Sequence, residues 1–240
     1  MAKKAAWAPQ NGLLQDLPGD VCDRIGGELQ LVELPPGKVL HEASAQQSTM
    51  YFPREGIVSL LYALENGDTS EVAMIGNEGV VGIGLVANNR TLPVRAVVQA
   101  GGEALALRAD IAQQEFKRGG AFQAILLRYM QALLTQTALT GVCNRHHTVD
   151  RQLSRWLLLV NDRIGSAEIK MTQEQIAHLL GVRREGITEA ARRLQDDGCI
   201  RYSRGLIQVL ERECLLARSC ECYSGIRNEY DRLLGSDTSS

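Results

Sequence analysis

The 240-residue chain has no long apolar run, no basic excess and very little histidine. The missing run excludes a membrane span. The N-terminus, MAKKAAWAPQ, has two lysines but no apolar stretch behind them, so no secretory signal is expected and the protein is read as cytoplasmic. The formal net charge of −2 excludes a protein that coats nucleic acid through its total charge, since only local charge meets phosphate. Of the four histidines, only His41 lies in the first half, too few for a metal-dependent oxygenase site on a β fold. No Ser-His-Asp set, metal-ligand cluster or phosphate-cradling glycine loop is visible. Gly82-Ile83-Gly84 opens no helix after a strand, so it is no dinucleotide fingerprint. No enzyme, cofactor or metal is expected. Six scattered cysteines are expected to be reduced.

What is present is organised around Met171 to Leu194. Thr172 and Gln175 form a T-x-x-Q capping box, and Ile176, Leu179 and Leu180 follow as a buried stripe. Gly181 ends this helix, because a left-handed residue costs glycine little. The next helix puts Ile187, Ala190, Ala191 and Leu194 on one face, and Arg184, Glu185, Thr188, Glu189 and Arg192 on the other. Ala177, Gly181 and Ile187 have the offsets of a helix-turn-helix: small crossing residue, turn, core anchor. Double-stranded DNA is therefore the expected partner. Arg184, Glu185, Thr188 and Glu189 are read as facing the bases. Thr172, Gln173, Arg183, Arg192, Arg201, Ser203 and Arg204 are read as facing the backbone. Acidic residues exceed basic ones before about residue 148, whereas arginines crowd the region from Arg183 to Arg204. Moderate affinity with a steep salt dependence is expected.

Upstream, residues 1–20 read as a partly ordered leader, and a short helix is expected from Asp20 to Leu29. From Leu31 to Leu107 short β-type runs alternate with turn residues, with Asn66-Gly67 as the strongest hairpin signal. This pattern predicts a β-sandwich or jelly roll. After Gly119-Gly120 a helix is expected from about Ala121 to Asn144, on the order of 35 Å long. Phe122, Ile125, Leu126, Tyr129, Met130, Leu133 and Leu134 form its stripe, either packed on the jelly roll or facing a second copy. Cys143 and His147 stand at i, i+4, a pair that alone does not close a metal site. A helix from Thr148 to Asp162 follows, then a hairpin from Cys199 to Leu210 and one helix from Glu211 to Leu234. On such a helix Cys220 and Cys222 point apart and cannot both face one metal without local unwinding.

The string Pro36-Gly37-Lys38-Val39-Leu40-His41-Glu42, the spacing through Gly56, Asn66-Gly67 and Gly79 to Gly82, and the long helix before the helix-turn-helix resemble the Crp/Fnr family of bacterial transcription regulators. The resemblance covers roughly residues 30–212. It implies an α+β chain: a jelly-roll (double-stranded β-helix) sensor domain over 1–118, a dimerisation helix and hinge over 119–147, and a winged helix-turn-helix with an extra C-terminal helix over 148–240. It also implies a homodimer on a palindromic operator, with RNA polymerase as a further contact. Family members that bind cyclic AMP carry Gly-Glu-Leu and a later Arg-Ser or Arg-Thr. Here Gly82-Ile83-Gly84 replaces the first, and Arg90-Thr91 or Arg95 stands near the second. An isoleucine accepts no ribose hydroxyl, so cyclic AMP binding is expected to be lost. The alternative is a sensor whose DNA binding is switched by another ligand or by redox state. Arg184 and Glu185 match the family's base-reading pair. Arg183 replaces a common serine cap, and Glu189 replaces a usual arginine.

Overall fold

The computed structural model describes residues 10–87, 91–165 and 168–235. The chain divides into two compact units. One comprises residues 1–60, 74–134 and 229–240, and the other residues 61–73 and 135–228.

In the first unit, α1 (Gly12–Gln15) and α2 (Gly19–Gly26) lead into the strands. The expected leader is more than that. Leu13, Leu14 and Leu17 are buried, and Asn11 is fully buried with its amide donating to Pro53 and Gly79 carbonyls at 2.8 and 2.9 Å. Strands β1 (Gln30–Leu34), β2 (Val39–His41), β3 (Thr49–Pro53), β4 (Ile57–Ala63), β5 (Thr69–Ile75), β6 (Arg95–Ala100) and β7 (Gly102–Arg108) form two sheets, ordered β1-β7-β3 and β2-β6-β4-β5. The pairing is antiparallel where β7 takes Leu105 opposite Leu31 on one side and opposite Phe52 on the other. Leu34, Val58, Ile75, Val81, Ala96, Val98 and Ala104 form a core cluster. This is the jelly roll expected from the short, turn-punctuated runs. A 3-10 helix, Ile83–Ala87, follows β5, and α3 (Ala109–Arg118) follows β7.

Gly119 and Gly120 both have positive φ, 78° and 77°, which ends α3 and resets the chain for α4 (Ala121–His146). Phe122, Ile125, Leu126, Tyr129 and Leu133 on α4 are buried within their own chain, and Met130 is half-buried. Each such side chain contributes roughly 1.5–3 kcal/mol by burial. Tyr129 explains Gly79: a Cβ there would come within 2.6 Å of the tyrosine ring. Apart from Leu134, which is exposed, the stripe assigned to dimerisation is therefore the helix's intramolecular face, because that apolar surface is already covered. A different stripe is exposed: Ala124, Leu127, Gln131, Leu134, Ala138, Gly141 or Val142, and Arg145, spaced alternately three and four residues apart.

The second unit contains α5 (Val149–Ile164), α6 (Gln173–Leu180), α7 (Arg184–Asp196) and a three-stranded sheet ordered β8-β10-β9, built from β8 (Glu168–Lys170), β9 (Ile200–Ser203) and β10 (Leu206–Val209). Strand β8 has no signature in the sequence, being three residues long. The C-terminal segment is two helices rather than one, α8 (Arg212–Arg218) and α9 (Glu221–Leu234). Ser219 is extended, with φ −78° and ψ −176°, and breaks the run. Nor are all cysteines free. The return of β10 toward the start of β9, where the Leu210 N–H donates to the Cys199 carbonyl at 3.0 Å, brings α8 alongside, and Cys199 and Cys214 are joined in a disulfide with Cα atoms 5.2 Å apart. Among the described residues no helix is long and apolar enough to cross a membrane.

Candidate nucleic-acid interface

The turn between α6 and α7 is held at both ends. At the start of α6, the Gln175 N–H donates to Thr172 Oγ1 at 3.2 Å, and the Thr172 N–H donates to Gln175 Oε1 at 2.8 Å. The capping box predicted from T-x-x-Q is complete. Gly181 closes α6 in the left-handed region, φ 66°. Arg183 occupies the cap of α7 with no side-chain bond to the helix, as expected of an arginine in place of serine.

Helix α7 buries Ile187, Ala190, Ala191 and Leu194, and this leaves Arg184, Glu185, Thr188, Glu189 and Arg192 exposed on the opposite face. Arg193 lies outside that face. Its guanidinium makes two 2.8 Å bonds to the Asp150 carboxylate and thereby anchors α7 to α5. This bidentate pair raises the Arg193 pKa and was not read from the sequence, since 43 residues separate its partners. Thr188 Oγ1 donates to Gln173 Oε1 at 2.7 Å and to the Arg184 carbonyl at 3.1 Å, so two candidate contact residues from adjacent helices hold each other in place. Glu189 lies 3.7 Å from Arg193, which draws part of its charge away from the exposed face.

The β9–β10 turn consists of Arg204 and Gly205, with φ 52° and 79°. Two consecutive positive-φ residues match a two-residue hairpin turn with the strands' own twist. An arginine there bears a conformational cost that glycine or asparagine avoids, roughly 1–2 kcal/mol. The turn is tied to the helix-turn-helix: the Met171 N–H donates to the Gly205 carbonyl at 2.8 Å. Arg201, Ser203 and Arg204 are exposed, and at the turn a Cβ on Gly205 would lie 3.7 Å from the Thr172 methyl, so the wing tip meets the start of the first helix.

The candidate ligand pocket is different in character. Gly82 has φ 96°, and a Cβ on it would approach the Thr49 carbonyl at 3.1 Å and His41 Nε2 at 3.3 Å. At Gly84 a Cβ would meet the Leu92 side chain at 2.9 Å, and Ile83 is buried. Arg95 is engaged by Glu42, with Nε 2.9 Å from the carboxylate. Thr91 is half-buried, and Arg90 lies outside the described residues. Burial also lowers the His41 pKa below its ordinary value, against a backbone bond at Thr49 that raises it.

One grouping was missed. Cys143, His147, Cys220 and Cys222, considered in the sequence only as two separate pairs, converge in the second unit. Because α9 starts at Glu221, Cys220 precedes the helix and Cys222 sits in its first turn, so the two need not point apart. The hydrogen bond between the Cys143 and Cys220 sulfurs lowers the Cys220 pKa and raises that of Cys143, and burial raises Cys222.

A cyclic nucleotide-binding domain model matches residues 31–118, and a Crp-like helix-turn-helix domain model matches residues 151–218. Among solved structures, a Crp/Fnr-family protein from Eubacterium rectale, assigned as a transcription regulator, is similar with 19% identity, TM-score 0.68, and coverage of 85% of this chain and 96% of that one. FixK2 from Bradyrhizobium japonicum gives 13% identity and TM-score 0.69 over 80% of this chain and 98% of its own. CLP from Xanthomonas campestris, described as a c-di-GMP-responsive global regulator, gives 16% and 0.63 over 80% and 99%. No curated protein matches the sequence. A cyclic nucleotide-binding domain followed by a Crp-like helix-turn-helix makes this chain a member of the Crp/Fnr family of transcription regulators, which are not enzymes.

Proposed function

We propose that the protein is a cytoplasmic, sequence-specific regulator that binds a palindromic operator as a homodimer, with Arg184, Glu185, Thr188 and Glu189 toward the bases. Thr172, Gln173, Arg183, Arg192, Arg201, Ser203 and Arg204 hold the phosphates, and RNA polymerase is a further contact. Residues 1–118 act as sensor or scaffold, 119–147 as dimer helix and hinge, and 148–240 as the DNA-binding part. The observation that carries this reading is the exposed polar face of α7, set against a fully buried apolar face and fixed by the Arg193–Asp150 pair. Arg can bond guanine O6 and N7 together, and Glu can accept from cytosine N4.

The dimer reading rests on the exposed α4 stripe. Its alternating three and four spacing is the repeat of a two-helix seam, and Ala138 and Gly141 allow close approach. A two-fold axis along such helices suits recognition helices about 34 Å apart. Loss of cyclic AMP binding is favoured by Ile83 in place of a ribose acceptor and by Leu92 packed against Gly84. Selection of binding sites from random duplexes tests the reading. A pseudo-palindromic consensus, bound equally with and without cyclic AMP, is the expected result. Recovery of unrelated sequences would end it.

A further inference from the structure

At the end of α4 four soft donors meet. Cys143 Sγ lies 3.6 Å from Cys220 Sγ, Cys222 Sγ lies 3.7 Å from His147 Nδ1, and all four donor atoms lie within 4.8 Å of one another. A tetrahedral zinc ion takes sulfur at about 2.3 Å and imidazole nitrogen at about 2.0–2.1 Å, which sets neighbouring donors about 3.5–3.8 Å apart. The two close pairs already have that spacing. A polynuclear iron–sulfur cluster places several irons and sulfides between its ligands and needs them further apart. We propose that Cys143, His147, Cys220 and Cys222 bind one zinc ion as a closed, structural Cys3His site.

Three features around the donors fit an ion. His147 Nε2 lies 3.4 Å from the Glu221 carboxylate, which turns Nδ1 toward the sulfurs in the carboxylate–histidine–metal arrangement of zinc sites. The three cysteines are buried and His147 is nearly so, its side chain 11% exposed, so the donor set is closed to water as a structural site requires. Three thiolates and a neutral imidazole around a divalent ion carry one net negative charge. Arg155, 3% exposed, lies within electrostatic range of Cys143 and Cys222, and its Nε has no hydrogen-bond partner. A buried guanidinium with a spare donor is the countercharge such a site needs. Thiolate and imidazole donors in a tetrahedral set select zinc over the harder divalent ions.

The site would join the last turn of α4 and the turn before α5 to the start of α9, across 77 residues between Cys143 and Cys220. The Gln152 side chain, donating to the His147 carbonyl at 2.9 Å, already braces that turn. The ion's binding energy then becomes folding energy of this unit. None of this requires the DNA reading: a protein that ignored operators would still hold the metal.

The test is metal analysis of the full chain purified with a reductant and offered zinc. About one zinc per chain is expected, near none in Cys143→Ser and Cys220→Ser, and an unchanged load in Cys22→Ser. Because a ligand variant can misfold, the wild-type chain stripped by a chelator is also titrated with cobalt(II). The d–d bands of tetrahedral thiolate cobalt should grow to a one-to-one endpoint and be abolished by added zinc. A chain that binds neither ion, a zinc load unaffected by the serine variants, or the absorption of an iron–sulfur cluster overturns the proposal.

Discussion

Arg184→Ala separates base reading from phosphate holding, and the size of its effect can be worked out. Arg184 is the first residue of α7 and fully on its solvent face, and among the described residues no carboxylate lies within ion-pair distance of its guanidinium. Its removal therefore breaks no intramolecular pair, and the fold should hold. A bidentate arginine–guanine contact contributes about 1–3 kcal/mol of discrimination. At a factor of ten per 1.4 kcal/mol, each half-site loses roughly 5- to 140-fold in specific affinity. Two half-sites double the free-energy loss if they add. Nonspecific affinity should barely move. Arg204→Ala should do the reverse: it weakens operator and random duplex alike and lowers the slope of log K against log salt by about 0.9 for each phosphate no longer neutralised. Fluorescence anisotropy at several salt concentrations, on operator and scrambled duplexes, reads both quantities. If Arg184→Ala keeps the wild-type ratio of operator to scrambled binding while Arg204→Ala lowers it, the base-reading face has been placed on the wrong element.

Thr172→Ala removes the Oγ1 that accepts from the Gln175 N–H, leaves the reciprocal backbone bond to Gln175 Oε1, and should destabilise the DNA-binding part by about 1 kcal/mol, seen as a drop in its urea midpoint with an unchanged m-value. Leu134→Glu puts a charge in the middle of the exposed α4 stripe, where the side chain is 69% accessible in one chain, and should yield a folded monomer by light scattering. A dimer that persists would move the interface elsewhere. For His41, burial holds the folded pKa below the unfolded value of about 6.5, so the unfolded chain binds the extra proton. Its contribution is complete above that value and is lost as pH falls below it, by up to about 1.4 kcal/mol per unit. His41→Gln should flatten stability between pH 6.5 and 5 relative to wild type, and equal slopes would remove His41 as the cause.

Periodic and local chemistry was legible in the chain. The capping box, the left-handed Gly181, the split faces of α7 and the span of α4 each follow from residues within a few positions of one another, where backbone geometry admits few alternatives. What the sequence could not settle were choices between two apolar or two polar partners. Both stripes of α4 carry leucines at helical spacing, and only packing shows that Phe122, Leu126 and Tyr129 turn inward while Leu127 and Leu134 stay outside. For the pocket the residues showed only that Gly82-Ile83-Gly84 lacks a ribose acceptor, and only the tertiary fold brings the His41 ring and the Thr49 carbonyl against Gly82 and Leu92 against Gly84.

The cysteines make the division clearest. Spacing along the chain paired Cys143 with His147 and set Cys220 against Cys222, since an unbroken helix turns i and i+2 apart. An extended Ser219 undoes that geometry, and chain closure brings the four side chains together from opposite ends of the second unit. Helix and strand periods are set by short-range sterics, so the sequence alone determined the elements and their faces. Side chains that meet across 77 residues depend on how those elements pack, and only the tertiary structure decided that.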